Sequence, residues 1–338
     1  MNSSNIIAKK KDILAYLSKR QLKNAFKALM NLAVNLQDWQ VSEKLSELET
    51  NYKYMLHYLF EGTADAERET VYRNLLRSLY ETTDDVADEL LKVESSNIFY
   101  ERLRINALKT QVSVTDYHNQ IKEISGALSL SDLIENEQEQ DARKKELAVK
   151  RERIGSDMFN ILFISPRTND KEYDEYIAFM DSGEIPVREK CLFISAITLS
   201  LFHRFDSKKI QALMHASSSG EIASKARAIV GLIIVMQMYD VRWSFYPELQ
   251  QRLDILSENQ DFRKTVISII IQLIRSRETE QISRKLTEEI IPEMMRFNSL
   301  AGRKLNMEEL MSESDFSDKN PEWQKELEES GLGKKLQE

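Results

Sequence analysis

Four histidines, His57, His118, His203 and His215, and one cysteine, Cys191, are the side chains whose types point first to metal or nucleophilic chemistry. A di-iron bundle needs a glutamate one helical turn before a histidine, and no carboxylate stands three residues ahead of any of the four. No two histidines lie four apart, so the paired ligands of a helical zinc hydrolase are missing as well. His203, beside Arg204 and Asp206 where a helix should end, is expected to satisfy terminal carbonyls. Cys191 sits among Leu192, Phe193 and Ile194, the setting of a small buried hydrophobe rather than a nucleophile. No Gly-x-Ser-x-Gly elbow occurs. The string Gly331-Leu332-Gly333-Lys334-Lys335 lacks the spacing and preceding strand of a phosphate loop. The expectation is a chain without catalytic residues, cofactor or metal.

Other residues suit binding. Tyr239, Arg242, Trp243, Phe245 and Tyr246 crowd a short stretch that is either tucked against the next element or exposed as a recognition knob. Arg188, Lys225, Arg227, Arg263 and Lys264 offer cations to an acidic protein or peptide. Tyr54 and Tyr58 share a helix face that Trp39 begins, which is either a peptide groove or simple helix packing. The sites backed for a partner are Arg188, Lys225, Arg227, Arg263, Lys264, Arg242, Trp243 and Tyr246.

Something must position these residues, and composition selects helices. Nine Gly and five Pro in 338 residues leave few turns, while Leu, Ile, Glu, Lys, Gln and Arg are plentiful. The longest apolar run, near Ile229–Met238, falls short of the roughly 20 residues a membrane span needs. The N-terminus lacks a secretion signal. A lone cysteine suits a reducing, cytoplasmic compartment. Net charge is −8 but uneven. Residues 1–27 carry Lys9, Lys10, Lys11, Lys19, Arg20, Lys23 and Lys27 against Asp12 alone, whereas 28–142 total −12, 143–305 total +4 and 306–338 total −6.

Periodicity divides the chain into an N-terminal helical region (1–110), an irregular, charged connector (111–142), a repeat array (143–305) and an acidic C-terminal segment (306–338). Long helices are expected over 38–60 and 65–93, the second capped by Asp65, and a heavily charged one over 135–153. Asn320-Pro321 should start a short helix near the end, and Gly333–Glu338 reads like the start of a further segment, as in the front portion of a longer protein. Arg20-x-Leu22-x-x-Ala25-Phe26-x-x-Leu29 resembles the first helix of a tetratricopeptide unit.

The most informative pattern is a repeat of 37 residues. Ser182-Gly183-Glu184-Ile185 returns as Ser219-Gly220-Glu221-Ile222, and the same offset aligns Arg153, Lys190, Arg227 and Lys264. Apolar positions follow: Phe193, Val230 and Ile267; Ala196, Ile233 and Ile270. An acid six positions before a base recurs as Glu184/Lys190, Glu221/Arg227 and Glu258/Lys264.

This pattern resembles the HEAT repeat of armadillo-like α-solenoids over residues 140–300, about half the chain. It departs from it in using Glu for the usual Asp, Lys for Arg in two units, and Gly155 and Ser156 at apolar positions of the first. The arrangement is also similar to a large, uncharacterised bacterial family of helical-repeat proteins with tetratricopeptide-like helices. The resemblance implies an all-α solenoid of stacked antiparallel helix pairs behind an N-terminal hairpin region. Its recurring acid/base pairs either bridge neighbouring units or face a ligand.

The function expected is a non-enzymatic protein–protein interaction scaffold. The alternative is a nucleic-acid-binding HEAT-like protein, related by fold analogy to DNA-base-processing enzymes; the basic arm favours it and a pI near 5.4 opposes it. A third reading places residues 6–27 on an anionic membrane surface.

Overall fold

A computed structural model of the protein describes residues 2–62, 67–106, 112–218, 221–285 and 287–288. Among the described residues the chain is helical and contains no strand, as the composition requires. It divides into two compact units, Met1–Val266 and Ile267–Glu338.

Within the first unit, α1 (Ser3–Ser18) is started by Asn2, whose side chain accepts from the Ser4 amide, and ends where Arg20 takes a left-handed conformation (φ 56°). α2 (Leu22–Ala33) buries Leu22, Ala25, Phe26, Leu29, Leu32 and Ala33, one stripe at helical spacing. α3 (Trp39–Phe60) is capped by Asp38 and runs to Gly62, whose φ of 75° stops it. α4 (Arg68–Glu94) is the long helix expected, although the Asp65 cap lies outside the described residues. α1, α2 and α3 all pack on α4, and α5 (Ile98–Asn106) follows it. The basic arm is therefore a folded hairpin.

Sequence and structure differ at residues 111–142. Instead of an irregular connector, Val114–Ser131 is a regular helix, α6. Ser113 and Asp116 form a reciprocal capping box, and Val114, Tyr117, Ile121 and Ile124 turn one apolar stripe inward. Gly126 and Ser129, which help obscure this stripe, are exposed outside it, and Gly126 has open space around it.

The charged helix α7 (Glu137–Ile164) also runs eleven residues past Arg153, its expected end. Then come α8 (Asp170–Asp181), α9 (Val187–Leu201), α10 (Ser207–Ser218), α11 (Ile222–Met238), α12 (Pro247–Glu258) and α13 (Gln260–Lys285), with a tight 3-10 stretch, Asp240–Phe245, before α12. Contacts link α6, α8, α10 and α12 in one series and α7, α9 and α11 in another. Four contacts join residues 38 apart in the chain: Arg151 to Glu189, Thr168 to Asp206, Asp170 to Lys208, and Leu201 to Tyr239. Asn169 and Asp206, one period apart, both cap the helix that follows by accepting backbone N–H groups.

In the second unit the described residues are the remainder of α13 and Thr287–Glu288. Ile267, Ile270, Ile271, Leu273 and Ile274 are exposed there. The helix expected after Pro321 and the acidic segment lie outside the described residues.

Candidate functional site

Residues Glu81, Asp84, Asp85 and Asp88 stand at i, i+3, i+4 and i+7 of α4, so they form one acidic stripe. Asp84 and Asp88 are fully buried, which charged groups tolerate only when paired. Their partners come from the loops between the later helices. Arg242 donates to both Asp84 oxygens, at 2.5 and 3.3 Å. Arg204 donates to Asp88 at 2.5 Å, and Tyr100 donates to the other Asp88 oxygen at 2.9 Å. Arg167 bridges Glu81 at 3.1 Å and Asp85 at 3.2 Å. Lys10 of α1 closes the cluster, 3.0 Å from Asp84 and 4.0 Å from Asp88.

The three arginines occupy corresponding places, between α7 and α8, between α9 and α10, and between α11 and α12. They are spaced by 37 and 38 residues, the period of the repeat. Sequence reasoning missed Arg167, Arg204 and the acidic stripe. The signal was present, but the extra residue before Arg242 takes it out of the 37-residue register.

Arg242, Trp243 and Tyr246 were candidates for an exposed knob, and the structure places them inside. Arg242 is 5% exposed, Trp243 8% and Tyr246 1%. The Arg242 guanidinium lies against Tyr80, Tyr239 and Phe205, with centroids at 4.8, 5.2 and 5.4 Å. Tyr246 donates to Glu81 at 2.8 Å and packs on Phe205. The aromatic stretch is thus the packing around a buried ion pair. A guanidinium needs that cover because its desolvation is offset only by a close carboxylate.

Electrostatics follow from this burial. Burial alone would raise the Asp84 carboxyl, but Arg242 and Lys10 outweigh it and hold Asp84 well below the usual carboxylate range. Burial, then the Asp88 charge, pushes the Tyr100 hydroxyl far up, and burial with Glu81 does the same to Tyr246. Nearby, Lys209 is wholly buried, donates to the Ser200 hydroxyl at 2.8 Å and the Ser165 carbonyl at 3.2 Å, and is lowered by burial to about 8. His203 stacks on Phe99 at 4.1 Å and is lowered, chiefly by burial. Every carboxylate of the stripe has an internal cationic partner.

The basic ladder does not form one surface. Arg153, Arg188, Arg227, Arg263 and Lys264 are exposed, Lys225 is half-buried, and Lys190 is buried. Among the described residues no ion pair joins Glu184 to Lys190, Glu221 to Arg227 or Glu258 to Lys264. Glu184 pairs instead with Lys122 at 2.8 Å. The bridge between α7 and α9 is Arg151 to Glu189, bidentate at 2.6 and 2.7 Å. Equal spacing gives equal height along successive helices, but the turn each helix makes about its own axis decides which side chain faces out.

Arg227 lines a groove of about 530 Å³ with Ser195, Thr198, Leu199, Ala226, Val230 and Ile234. It donates to the Ser195 hydroxyl at 2.8 Å. α9 and α11 meet closely at the edge of this groove, because a Cβ on Gly231 would stand 2.5 Å from the Thr198 hydroxyl. Beside it, one side of α11 stays uncovered: Ile222 is 88% and Met238 46% exposed, and Val230, Ile233 and Ile234 are half-buried. A second groove, about 390 Å³, lies between α3 and α4 and includes Tyr54, Tyr58, Val71 and Leu75, with both tyrosines more than half exposed.

Among the described residues no three His, Cys, Asp or Glu side chains are grouped to hold a metal ion, and no helix is long and apolar enough to cross a membrane. No protein-family model matches the chain, and comparison with curated proteins and with solved structures finds no match.

Proposed function

We propose that this chain is a non-enzymatic protein-interaction scaffold, built as a HEAT-like α-solenoid from residue 143 onward, that engages a protein partner along α9 and α11. The contacts between residues 38 apart and the two series of packed helices support the solenoid reading. One observation carries the functional reading: the uncovered side of α11 and the groove beside it are almost wholly apolar, with Arg227 as the charged member of the lining. Contiguous exposed apolar surface of this kind marks interaction sites in soluble proteins. The ionisable residues that acid–base chemistry would use are instead spent on internal pairs.

A photo-crosslinking residue at Ala226, in cells, tests the proposal. A defined protein crosslinked in the parent and lost in Val230→Asp supports it. Crosslinks only to nuclease-sensitive material would sink it in favour of nucleic-acid binding. Trp243 is unsuitable as a probe of binding, since it is buried and its loss would disturb the fold.

A further inference from the structure

We propose that the acidic stripe of α4 is a register lock: by accepting one arginine from every second inter-helix loop, it fixes a single alignment of α4 against the helices from α7 to α12. The proposal holds whatever the groove on α11 binds.

The apolar contacts of α4 do not specify this alignment. Leu76, Leu79, Thr83, Val86, Ala87 and Leu90 are all buried and recur every three or four residues. A slip by one helical turn, about 5.4 Å, would bring a similar stripe to the same place. The charges break this near-degeneracy. Sliding one way would set Arg204 against Lys92 in place of Asp88, and sliding the other way would offer Arg77 to Arg167 where Glu81 now stands. The first slip sets like charges together at the largely buried Arg204, and the second leaves the buried Arg242 facing Tyr80 in place of Asp84. The observed alignment gives all three arginines a carboxylate and leaves Tyr100 and Tyr246 donating to the remaining oxygens of Asp88 and Glu81.

Buried ion pairs are poor sources of net stability, because desolvating two charges consumes most of the attraction, and apolar replacements of similar volume are often as stable or more so. Their best-attested contribution is uniqueness of arrangement, as with a single buried polar residue that sets coiled-coil register. Three arginines spaced by about the repeat period, on three alternate loops, suit that role. A cluster selected for stability alone has no need of one contact per repeat.

The test separates stability from alignment in the full-length chain. Spin labels at Ser46→Cys on α3 and Gln251→Cys on α12, both exposed positions, are placed in a Cys191→Ser background. The distance distribution between them is compared for the parent and for Asp84→Leu/Arg242→Met, with melting temperatures alongside. In this variant Lys10, half-buried, still has Asp88 within reach. The expected result is a melting temperature within a few degrees of the parent or above it, with a distribution that broadens or gains a second peak. A single narrow peak identical to the parent's would overturn the lock. A melting temperature lowered as far as in Asp84→Asn alone, roughly 10 °C by the usual cost of stranding a buried charge, would overturn it too. Should this variant not fold, Asp88→Leu/Arg204→Met, which opens a different loop contact, provides the same reading.

Discussion

The two sides of the α7–α12 region invert the usual placement of charge. Where the inter-helix loops meet α4, Arg242, Asp84 and Asp88 are buried; along α11, isoleucine, valine and methionine face outward. Reading charge as surface and aromatic clusters as recognition therefore misassigns both sides. What distinguishes them is partnership: the buried Asp84 and Asp88 each have an opposite charge within hydrogen-bonding distance, whereas Ile222 and Met238 of α11 are exposed. The buried side is finished, and the outer side is not.

Breaking the buried side should have the largest effects. Asp84→Ala strands Arg242 and is expected to cost about 3–5 kcal/mol in denaturant unfolding, against little for the exposed Arg263→Ala. The same pair predicts a pH dependence. Arg242 and Lys10 hold folded Asp84 below its unfolded value of about 3.9, so its stabilisation is complete above that pH and is lost as the pH falls through the lower folded value. Parent protein should therefore lose more melting temperature than Asp84→Asn on acidification below about pH 4. Equal losses would remove Asp84 from the account.

Lys209 sharpens the comparison, since it is the buried cation near this cluster with hydroxyl and carbonyl acceptors in place of a carboxylate. Its folded value of about 8 lies below the unfolded 10.5, so the folded chain gives up this proton first. The penalty is present in full below pH 8 and is relieved as the pH rises from 8 towards 10.5. Lys209→Met should raise the melting temperature at pH 7, and the gain should shrink at pH 10; a gain independent of pH would mean packing rather than charge.

At the close approach of α9 and α11, Gly231→Val forces a side chain into Thr198 and should cost about 1–3 kcal/mol. Thr198→Ala should recover part of that loss. Recovery would locate the strain at this crossing, between the sealed interior and the open groove, and its absence would place it elsewhere.

How much of this could be read in advance depends on what a linear pattern encodes. The period of 37 residues was visible from Arg153, Lys190, Arg227 and Lys264, and it is close to the 38-residue separation of four contacts between residues 151 and 239. It could not report facing: Lys190 turns inward and Arg227 outward from equivalent positions. The Arg167, Arg204 and Arg242 series carries the same period but gains a residue in the third loop, so an unbroken offset passes over it. The carboxylates of α4 were legible as a stripe, yet charge on a long helix ordinarily means a solvated face. Only the partners, 82 to 158 residues away, show otherwise. α6 was hidden because its serines and Gly126 dilute a stripe that its capping box makes clear.

The smallest expected effect on stability belongs to the outer side and bears most directly on function. Ile222 is almost fully exposed, so Ile222→Asp removes little buried area and should change unfolding free energy by no more than about 0.5 kcal/mol. Met238→Gln, at the far end of the same helix, should behave alike. If α11 is where a partner sits, both changes should abolish or sharply weaken crosslinking at Ala226 while leaving the melting curve in place. A polar or charged group buried in an apolar interface loses its hydration without gaining a partner, and that cost falls on the complex alone. A large loss of stability in either variant would instead mean that the outer side is already covered in solution, and the contrast between the two sides would not hold.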